Sequence, residues 1–327
     1  MFIVSLPLVG RDQGWGEQRE GSTGVSCGAA RDAGLANHGD IRIGVSGWTY
    51  RPWRGNFYPK GVAQKRELQF AARQFNALEI NGTFYGMQTP RAFRHWAEAV
   101  PDGFVFAVKG PRYLTHMLKL TNPEPPLANF FASGPLVMGA TLGPILWQFP
   151  ERFAFNSERI EAFFRLLPRD TTEAAELARR HDHRLKAPAE FGDGVVRPIR
   201  HAMEIRSESF RDPAFIALLR RYRVALVCAD TVDWPLLMDV TADFVYCRLH
   251  GSVELYNSGY SDEELDIWAE RVRNWSVGAA TDGDFVTGPT EDGVARDVFV
   301  FFDNTDKLMA PGDARGVMQR LGVEWEA

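Results

Sequence analysis

The chain has 327 residues, of which 45% are hydrophobic and 24% are charged, and its formal net charge is −5. This composition is typical of a globular protein. The acidic balance argues against a protein whose whole surface is basic and coats nucleic acid, although it leaves room for a local basic pocket.

The cysteines and the hydropathy of the sequence indicate the cellular environment of the protein. Cys27, Cys228 and Cys247 form no CxxC pair, and the last two lie inside apolar segments. We expect buried free thiols, which fits a reducing, cytoplasmic environment. No apolar stretch approaches the roughly twenty residues that a membrane span needs. The apolar segment Met1 to Leu8 lacks the basic start of a signal peptide, so we expect no membrane association.

Eight short apolar segments end in polar residues and are then followed by helix signals. The predicted strands are Ile41–Val45, Ala77–Ile80, Phe104–Val108, Gly143–Trp147, Ile199–Ile205, Val224–Cys228, Phe244–Leu249 and Val298–Phe302. Strands buried on both faces and alternating with helices predict an α/β fold, a closed parallel (β/α)8 or TIM barrel. Such a barrel takes roughly 250 residues as one domain. We therefore expect a barrel domain over residues 41–325 and a poorly structured N-terminal extension over residues 1–40, to which we assign no function.

Helix signals lie between these strands. Thr89-Pro90 and Asp212-Pro213 each place a capping residue before a proline at the first helical position, and Ser261 with Glu264 forms a capping box. Apolar residues at helical spacing predict further helices, over Gln64–Phe75, after Ser157 as far as Leu167, and over about Pro311–Leu321. Residues 169–198 and 277–296 are too long for ordinary connections, and we predict that they are surface insertions.

Polar residues follow the strands at the end where a barrel of this kind has its active site. The carboxyl ends of the strands meet at one mouth, and residues two apart on a strand share a face. The pairs that share a face are Glu79 and Asn81, Glu204 and Arg206, and Arg248 and His250. Because a charge inside a barrel is costly unless it is paired or solvated, these positions indicate a polar pocket. Ser46, Lys109, Gln148, Asp230 and Asn304 end other strands and are candidates for its wall.

The charges at this mouth leave two interpretations open. Lys109, Arg206 and Arg248 are cationic, Glu79, Glu204 and Asp230 are anionic, and His116 and His250 can be either. The groups can form a closed ion-pair network without chemistry, or a site for an anionic or polyhydroxylated ligand. In the second case Glu79, Glu204, Lys109 and His250 are the candidate catalytic residues, because they can move protons, and Arg206 and Arg248 can hold negative charge.

Other chemistries at the same residues are less well supported. Arg248 followed by Gly251 is compatible with phosphate binding after the seventh strand. Glu79 and Glu204 resemble the carboxylate pair of a glycosidase only in residue type, and Lys109 could form a Schiff base only with a depressed pKa. Glu79, Glu204, Asp230 and His250 are metal-ligand types, but three cations at the same mouth would repel a divalent ion. We therefore predict no metal and no cofactor.

Aromatic residues crowd the loops at the predicted mouth. We expect ligand contacts from the residues closest to strand ends and from two tyrosines after the seventh strand, because aromatic faces stack on sugars or bases. These residues are Trp48, Tyr50, Tyr85, Tyr256 and Tyr260.

Several motifs together resemble the domain-of-unknown-function family 72, also called YecE-like. They are Gly44–Tyr50, Trp53–Pro59, Glu79–Tyr85, Lys109 with Thr115-His116, Leu142–Pro150, Glu204–Arg206, Arg248–Gly251, Tyr260-Ser261 and Phe301–Asn304. The resemblance covers nearly all of residues 41–322 and implies a TIM barrel but no reaction. The chain differs from the expected pattern at Asp303-Asn304, where two asparagines are expected, and in the longer segment 169–198.

Three classes of function remain open from the sequence. The first is an enzyme, a metal-independent hydrolase, lyase or isomerase, acting on a small phosphorylated, carboxylated or sugar-like substrate. The second is a protein that binds or processes nucleic acid by aromatic stacking and mouth cations. The third is a non-catalytic ligand sensor or scaffold built on the barrel.

Overall fold

The strands form a closed parallel barrel in chain order, as predicted. The computed structural model describes residues 38–253, 258–304 and 308–325, so nearly all of the predicted N-terminal extension lies outside the described residues. Each strand pairs with the next, and the eighth pairs with the first. The strands are β1 Ile41–Ser46, β2 Ala77–Ile80, β3 Val105–Lys109, β4 Leu142–Gln148, β5 His201–Glu204, β6 Val224–Asp230, β7 Phe244–Leu249 and β8 Asp297–Phe302.

Helices of varied length connect the strands. The α-helices are α1 Glu67–Ala71, α2 Gly82–Tyr85, α3 Pro90–Glu98, α4 Glu124–Ala132, α5 Ser157–Leu166, α6 Thr171–Ala178, α7 Pro213–Tyr222, α8 Asp262–Val277 and α9 Met309–Leu321. Short 3-10 helices span Arg51–Trp53, Gln64–Arg66, Pro135–Thr141 and Glu208–Phe210, and a π-helix spans Tyr113–Met117. No helix formed by the described residues is long and apolar enough to cross a membrane.

Capping side chains start three of the helices where the sequence predicts. Thr89 accepts a hydrogen bond from the Ala92 amide, and Asp212 accepts one from the Ala214 amide. Ser261 forms both bonds of its capping box. These three predictions are confirmed. Each capping side chain accepts from an amide in the first helical turn, where amides have no partner within the helix.

Two helix predictions need correction. The cap of α5 is Asn156, whose side chain accepts from the Arg159 amide, so Ser157 is already the first helical residue. Residues 64–75 do not form one helix, because a 3-10 turn precedes the five-residue α1.

The two segments predicted as insertions differ in structure. Residues 169–198 contain α6, where the Asp170 carboxylate accepts from the Thr172 and Glu173 amides. Residues 278–296 contain neither a helix nor a strand. Their assignment as surface insertions, and the domain boundary near residue 40, stay predictions.

The barrel interior is packed with a combination of small and large side chains. One buried cluster combines alanines from four strands with aromatic rings from β7 and β8. Its members include Ala77, Ala107, Ala202, Ala225, Ala229, Phe244, Tyr246, Phe299 and Phe301. The alanines leave space that the large side chains fill, as close packing requires. The same space lets a long side chain on β7 reach strands on the far side of the barrel.

The Asn76 side chain joins β1 to the start of β2. Its Oδ1 accepts from the Ile43 amide at 2.7 Å, and its Nδ2 donates to the Ile41 carbonyl at 2.9 Å. Asn76 is 5% exposed. It therefore supplies hydrogen bonds to the part of β1 that lies before its pairing with β2 begins at Gly44 and Ala77.

We expect Asn76→Ala to lower the free energy of unfolding by about 1–3 kcal/mol, because it leaves β1 backbone groups without partners. Urea denaturation measures this loss. Asn56→Ala is the matched control, since Asn56 donates to the Pro52 carbonyl at an exposed position. An equal effect of the two substitutions would contradict the assigned role of Asn76.

Candidate functional site

Arg248, on β7, occupies the centre of the barrel mouth and is fully buried. Its Nε and Nη2 donate to the two carboxylate oxygens of Glu79 at 3.1 and 2.9 Å. Its Nη1 donates to Glu204 at 2.6 Å, and Nη2 also donates to Asp303 at 2.7 Å. One guanidinium therefore joins residues from β2, β5 and the end of β8, with the charge-assisted geometry that arginine favours.

The Glu79 carboxylate is fully engaged inside the protein. Its Oε1 accepts from the Ser46 hydroxyl at 2.8 Å and its Oε2 accepts from the Tyr246 hydroxyl at 2.6 Å, in addition to Arg248. Glu79 is fully buried. Burial and the adjacent Glu79 raise the pKa of Tyr246 well above its usual range, so the phenol stays a donor. These contacts make Glu79 a fixed acceptor.

Glu204 is bonded to Arg248 and also to two residues nearer the rim. Its Oε1 accepts from Gln148 Nε2 at 2.7 Å and from Arg206 Nε at 3.0 Å. Burial raises the pKa of Glu204, but Arg248 and Arg206 outweigh this effect and hold it well below its usual range. The Arg206 guanidinium lies 3.9 Å from the Trp234 ring centroid, and its side chain is 15% exposed. Arg206 therefore extends from the buried network towards solvent.

Asp303 and His250 complete the network beside β8. His250 Nε2 lies 3.4 Å from Arg248 Nη1, and Nδ1 lies 3.2 Å from Asp303 Oδ2. Because arginine can only donate, Nε2 is the acceptor in the contact with Arg248. Burial raises the pKa of Asp303, but Arg248 and His250 lower it to about 2. Both ring nitrogens of His250 therefore face partners within the protein.

Lys109 differs from the other charged groups of the mouth. It is 7% exposed, and its Nζ lies 4.5 Å from the centroid of the Phe84 ring. Within the part of the chain that the structure describes, no carboxylate lies within ion-pair distance of Nζ. Burial and the nearby Arg248 lower the pKa of Lys109 to about 8, against the opposing effect of the carboxylates.

His116, on the π-helix, lies near Lys109 and Arg206. Its ring is 5.1 Å from the Phe84 centroid, and its Nδ1 lies 2.9 Å from the Thr115 hydroxyl. Burial, with Arg206 and Lys109, lowers the pKa of His116 to about 4. The imidazole is therefore neutral at pH 7 and adds hydrogen-bonding capacity but no charge.

Three residues predicted to bind ligand have partners in the helices and loops around the barrel. Asp230 accepts from Trp268 Nε1 on α8 at 3.0 Å. Tyr260 accepts from the Gly251 amide at 3.1 Å, so that amide has a partner within the protein. Asn304 donates to Asp313 on α9 at 2.7 Å. Strand alternation explains the placement of Asp230 and Asn304, because the preceding Ala229 and, three residues earlier, Phe301 have the opposite phase and belong to the interior cluster.

The predicted aromatic residues do not share one wall. Trp48, Tyr50 and Asn81 line a cleft of about 250 Å³ between the loops that follow β1 and β2. Tyr85 lines another depression and is 69% exposed. Tyr256 lies outside the described residues. The described aromatic residues thus flank the charged network in separate depressions.

The sequence prediction misses three residues of the network, namely Tyr246, Asp303 and Trp234. Tyr246 lies two residues before Arg248, and Asp303 lies two after the inward-facing Phe301, so strand alternation could have identified both. Trp234 lies in the loop between β6 and β7, and no pattern in the sequence indicates that it stacks on Arg206.

The arrangement argues against the set of four metal ligands considered from the sequence. Arg248 lies between Glu79 and Glu204, and Asp230 points away from both. No group of three or more His, Cys, Asp or Glu among the described residues could hold a metal ion. A guanidinium fills the place between the carboxylates.

A closed eight-stranded parallel barrel with surrounding helices and a charged mouth defines a TIM-barrel protein. The chain belongs to the family described as protein of unknown function DUF72, whose model matches residues 42–327. The resemblance predicted from the motifs is thereby confirmed. The family description assigns no reaction.

Named relatives and solved structures agree with this membership. UPF0759 protein YecE of Escherichia coli K12 is 24% identical over 254 residues, 72% of this chain and 82% of the relative. UPF0759 protein YunF of Bacillus subtilis 168 is 26% identical over 125 residues, 37% of this chain and 43% of the relative.

The crystal structure of a DUF72 family protein from Thermotoga maritima MSB8 has a TM-score of 0.65 at 24% identity, over 86% of this chain and 99% of that chain. One from Enterococcus faecalis V583 has a TM-score of 0.63 at 18% identity, over 88% and 97%. These likenesses concern the fold.

We expect Arg248→Met to lower the free energy of unfolding by about 3–5 kcal/mol, because it leaves buried carboxylates without their cation. Urea denaturation at pH 7 measures the loss. Arg94→Met is the control, since Arg94 pairs with Glu190 at an exposed site, where such pairs contribute about 1 kcal/mol or less. Similar losses for both variants would contradict the central role of Arg248.

Lys109 makes stability depend on pH in the alkaline range. Between pH 8 and 10.5 the unfolded chain holds a proton that the folded protein has released. The contribution of Lys109 to stability therefore rises with pH across this window. The free energy of unfolding of the wild type, minus that of Lys109→Met, should increase by about 3 kcal/mol over it. Denaturation at several pH values tests this, and a constant difference would show that the pKa of Lys109 is not lowered.

Proposed function

We propose that the barrel mouth binds a small phosphorylated or carboxylated ligand, and that Lys109 transfers a proton to or from it without a metal. The observation that carries the proposal is the state of Lys109. It is a nearly buried amine, its pKa is about 8, and no carboxylate pairs with it within the described structure. A group that titrates near the working pH is suited to acid-base catalysis.

The contacts of the glutamates support Lys109 rather than Glu79 or Glu204 as the proton-transfer group. Both oxygens of Glu79 accept from neighbouring side chains, and the low pKa of Glu204 keeps it ionised. We assign the glutamates to holding Arg248 in place, and the same role suits His250. This proposal changes the catalytic assignment expected from the sequence.

The positions of the cations support an anionic ligand. Three carboxylates, Glu79, Glu204 and Asp303, face three cations, Arg248, Arg206 and protonated Lys109, so their formal charges cancel. Arg206 is 15% exposed and Lys109 is 7% exposed, and an anion that enters the mouth would contact both cations. A bound anion favours protonated Lys109, so ligand binding and proton uptake are coupled. A polyhydroxylated ligand, a nucleic-acid partner and a non-catalytic barrel stay alternative hypotheses.

Inorganic phosphate provides a direct test by isothermal titration calorimetry at constant ionic strength. We expect its affinity to fall by about tenfold per pH unit above pH 8, because the neutral amine no longer attracts it, and tenfold corresponds to about 1.4 kcal/mol. At pH 9, buffers that differ in ionisation heat should reveal uptake of about one proton on binding. Lys109→Met should lose at least about tenfold in affinity, together with the pH dependence.

Lys60→Met is the matched control, since Lys60 is exposed in the segment between β1 and α1. Its phosphate affinity should equal that of the wild type. Absence of phosphate binding, or equal binding by Lys109→Met, would overturn the assignment of the mouth as an anion site. Binding without proton uptake would remove the acid-base role of Lys109.

A further inference from the structure

We infer that a groove beside the mouth holds the planar, aromatic part of the same ligand, which narrows the ligand class to an aromatic molecule that carries an anionic group. This inference rests on the proposed function of the mouth. The groove, here called the Tyr85 groove, has a volume of about 250 Å³ and is lined by residues that include Phe84, Tyr85, Met87, Arg112, Met117 and Arg184.

Three large apolar side chains that line the Tyr85 groove are exposed to solvent. Tyr85 is 69% exposed, Met117 65% and Met87 43%. Large apolar side chains that share one concave surface mark binding sites more often than isolated exposed residues do. The methionine side chains provide an adaptable surface for a ring, and the tyrosine provides a rigid, flat one.

The charges around the groove favour an electron-rich or anionic ring over a cationic one. The Arg112 guanidinium lies 5.5 Å from the Tyr85 ring centroid, and that of Arg184 lies 5.8 Å from the Tyr113 centroid. Arg184 also lies 3.7 Å from Asp182. None of the lining residues is an aspartate or a glutamate. Guanidinium groups that stack on aromatic faces leave their edges able to donate hydrogen bonds to an anionic ligand.

Phe84 connects the groove to the charged mouth. It lines the groove, and its ring lies 4.5 Å from Lys109 Nζ and 5.1 Å from the His116 ring. An anionic group at Lys109 and an aromatic group in the groove are therefore separated by a single side chain. The volume fits part of a ligand, because complete small-molecule sites measure roughly 300–1,000 Å³.

The segment after β3 contributes to both places. The π-helix Tyr113–Met117 carries His116 to the mouth and Met117 to the groove. Lys119, Leu120 and Asn122, which follow, have φ values of 48°, 64° and 45°. A π-helix and left-handed backbone at residues other than glycine are costly and concentrate at functional sites. This geometry links the groove to the mouth through one loop.

The test compares phenyl phosphate with inorganic phosphate by calorimetry on the full chain. We expect phenyl phosphate to bind at least tenfold more tightly. Tyr85→Ala with Met117→Ala should remove this advantage and leave the affinity for inorganic phosphate unchanged. Ile267→Ala, an exposed apolar residue on α8 that is 44% exposed, is the control and should change neither affinity. With ¹³C-methyl-labelled methionine, phenyl phosphate should shift the NMR signals of Met87 and Met117, while buried Met318 stays unchanged.

The outcomes separate this inference from the proposed function. If both probes bind equally and both depend on Lys109, the groove inference is wrong and the mouth proposal stands. If phenyl phosphate keeps its full affinity in Lys109→Met and its binding depends on Tyr85 and Met117, the groove is a separate site and its link to the mouth is wrong. If neither probe binds, both proposals fall.

Discussion

The buried guanidinium of Arg248 is the interaction on which the organisation of the mouth depends. It donates to carboxylates from β2, β5 and the end of β8, and so it connects strands across the barrel as well as along its wall. Alanines on β2, β3, β5 and β6 leave space in the barrel interior for this long side chain. A buried ion pair adds little net stability compared with apolar residues, but the loss of one partner is costly. Its main effect is therefore to hold each carboxylate in one place.

The charged groups form two layers with different roles. In the lower layer Arg248, Glu79 and Tyr246 satisfy one another and are fully buried. In the upper layer Arg206 is 15% exposed and stacks on an indole ring, while Lys109 is 7% exposed and has a lowered pKa. Arg248 adds to the effect of burial in lowering the pKa of Lys109, and the carboxylates Glu79, Glu204 and Asp303 oppose it. This arrangement supports a ligand site at the upper layer, with the lower layer as its structural support. The paired charges of the lower layer leave Lys109 and Arg206 available to a ligand.

Comparison with the sequence predictions shows where local patterns succeed. Short apolar segments followed by helix signals predicted the eight strands of a closed parallel barrel, and the capping residues Thr89, Asp212 and Ser261 predicted three helix starts. Strand alternation could have identified Asp303 in place of Asn304, because Phe301 points into the barrel. Asp230 has the opposite strand phase to the inward-facing Ala229, so its side chain points away from the barrel interior. The role of Trp234 could not be predicted, since it lies in a loop without periodicity.

The sequence alone determined the barrel, the family and the end of the barrel where charged groups gather. Each of these follows from hydrophobic periodicity or from motifs of neighbouring residues, which a linear chain displays directly. Only the tertiary structure decided which charges neutralise one another. Glu79 and Arg248 are 169 positions apart, and their contact depends on barrel closure and on the volume left by alanines from other strands. The tertiary structure likewise distinguished Lys109 from the other charged residues, because its pKa reflects burial and distances that no spacing in the sequence contains.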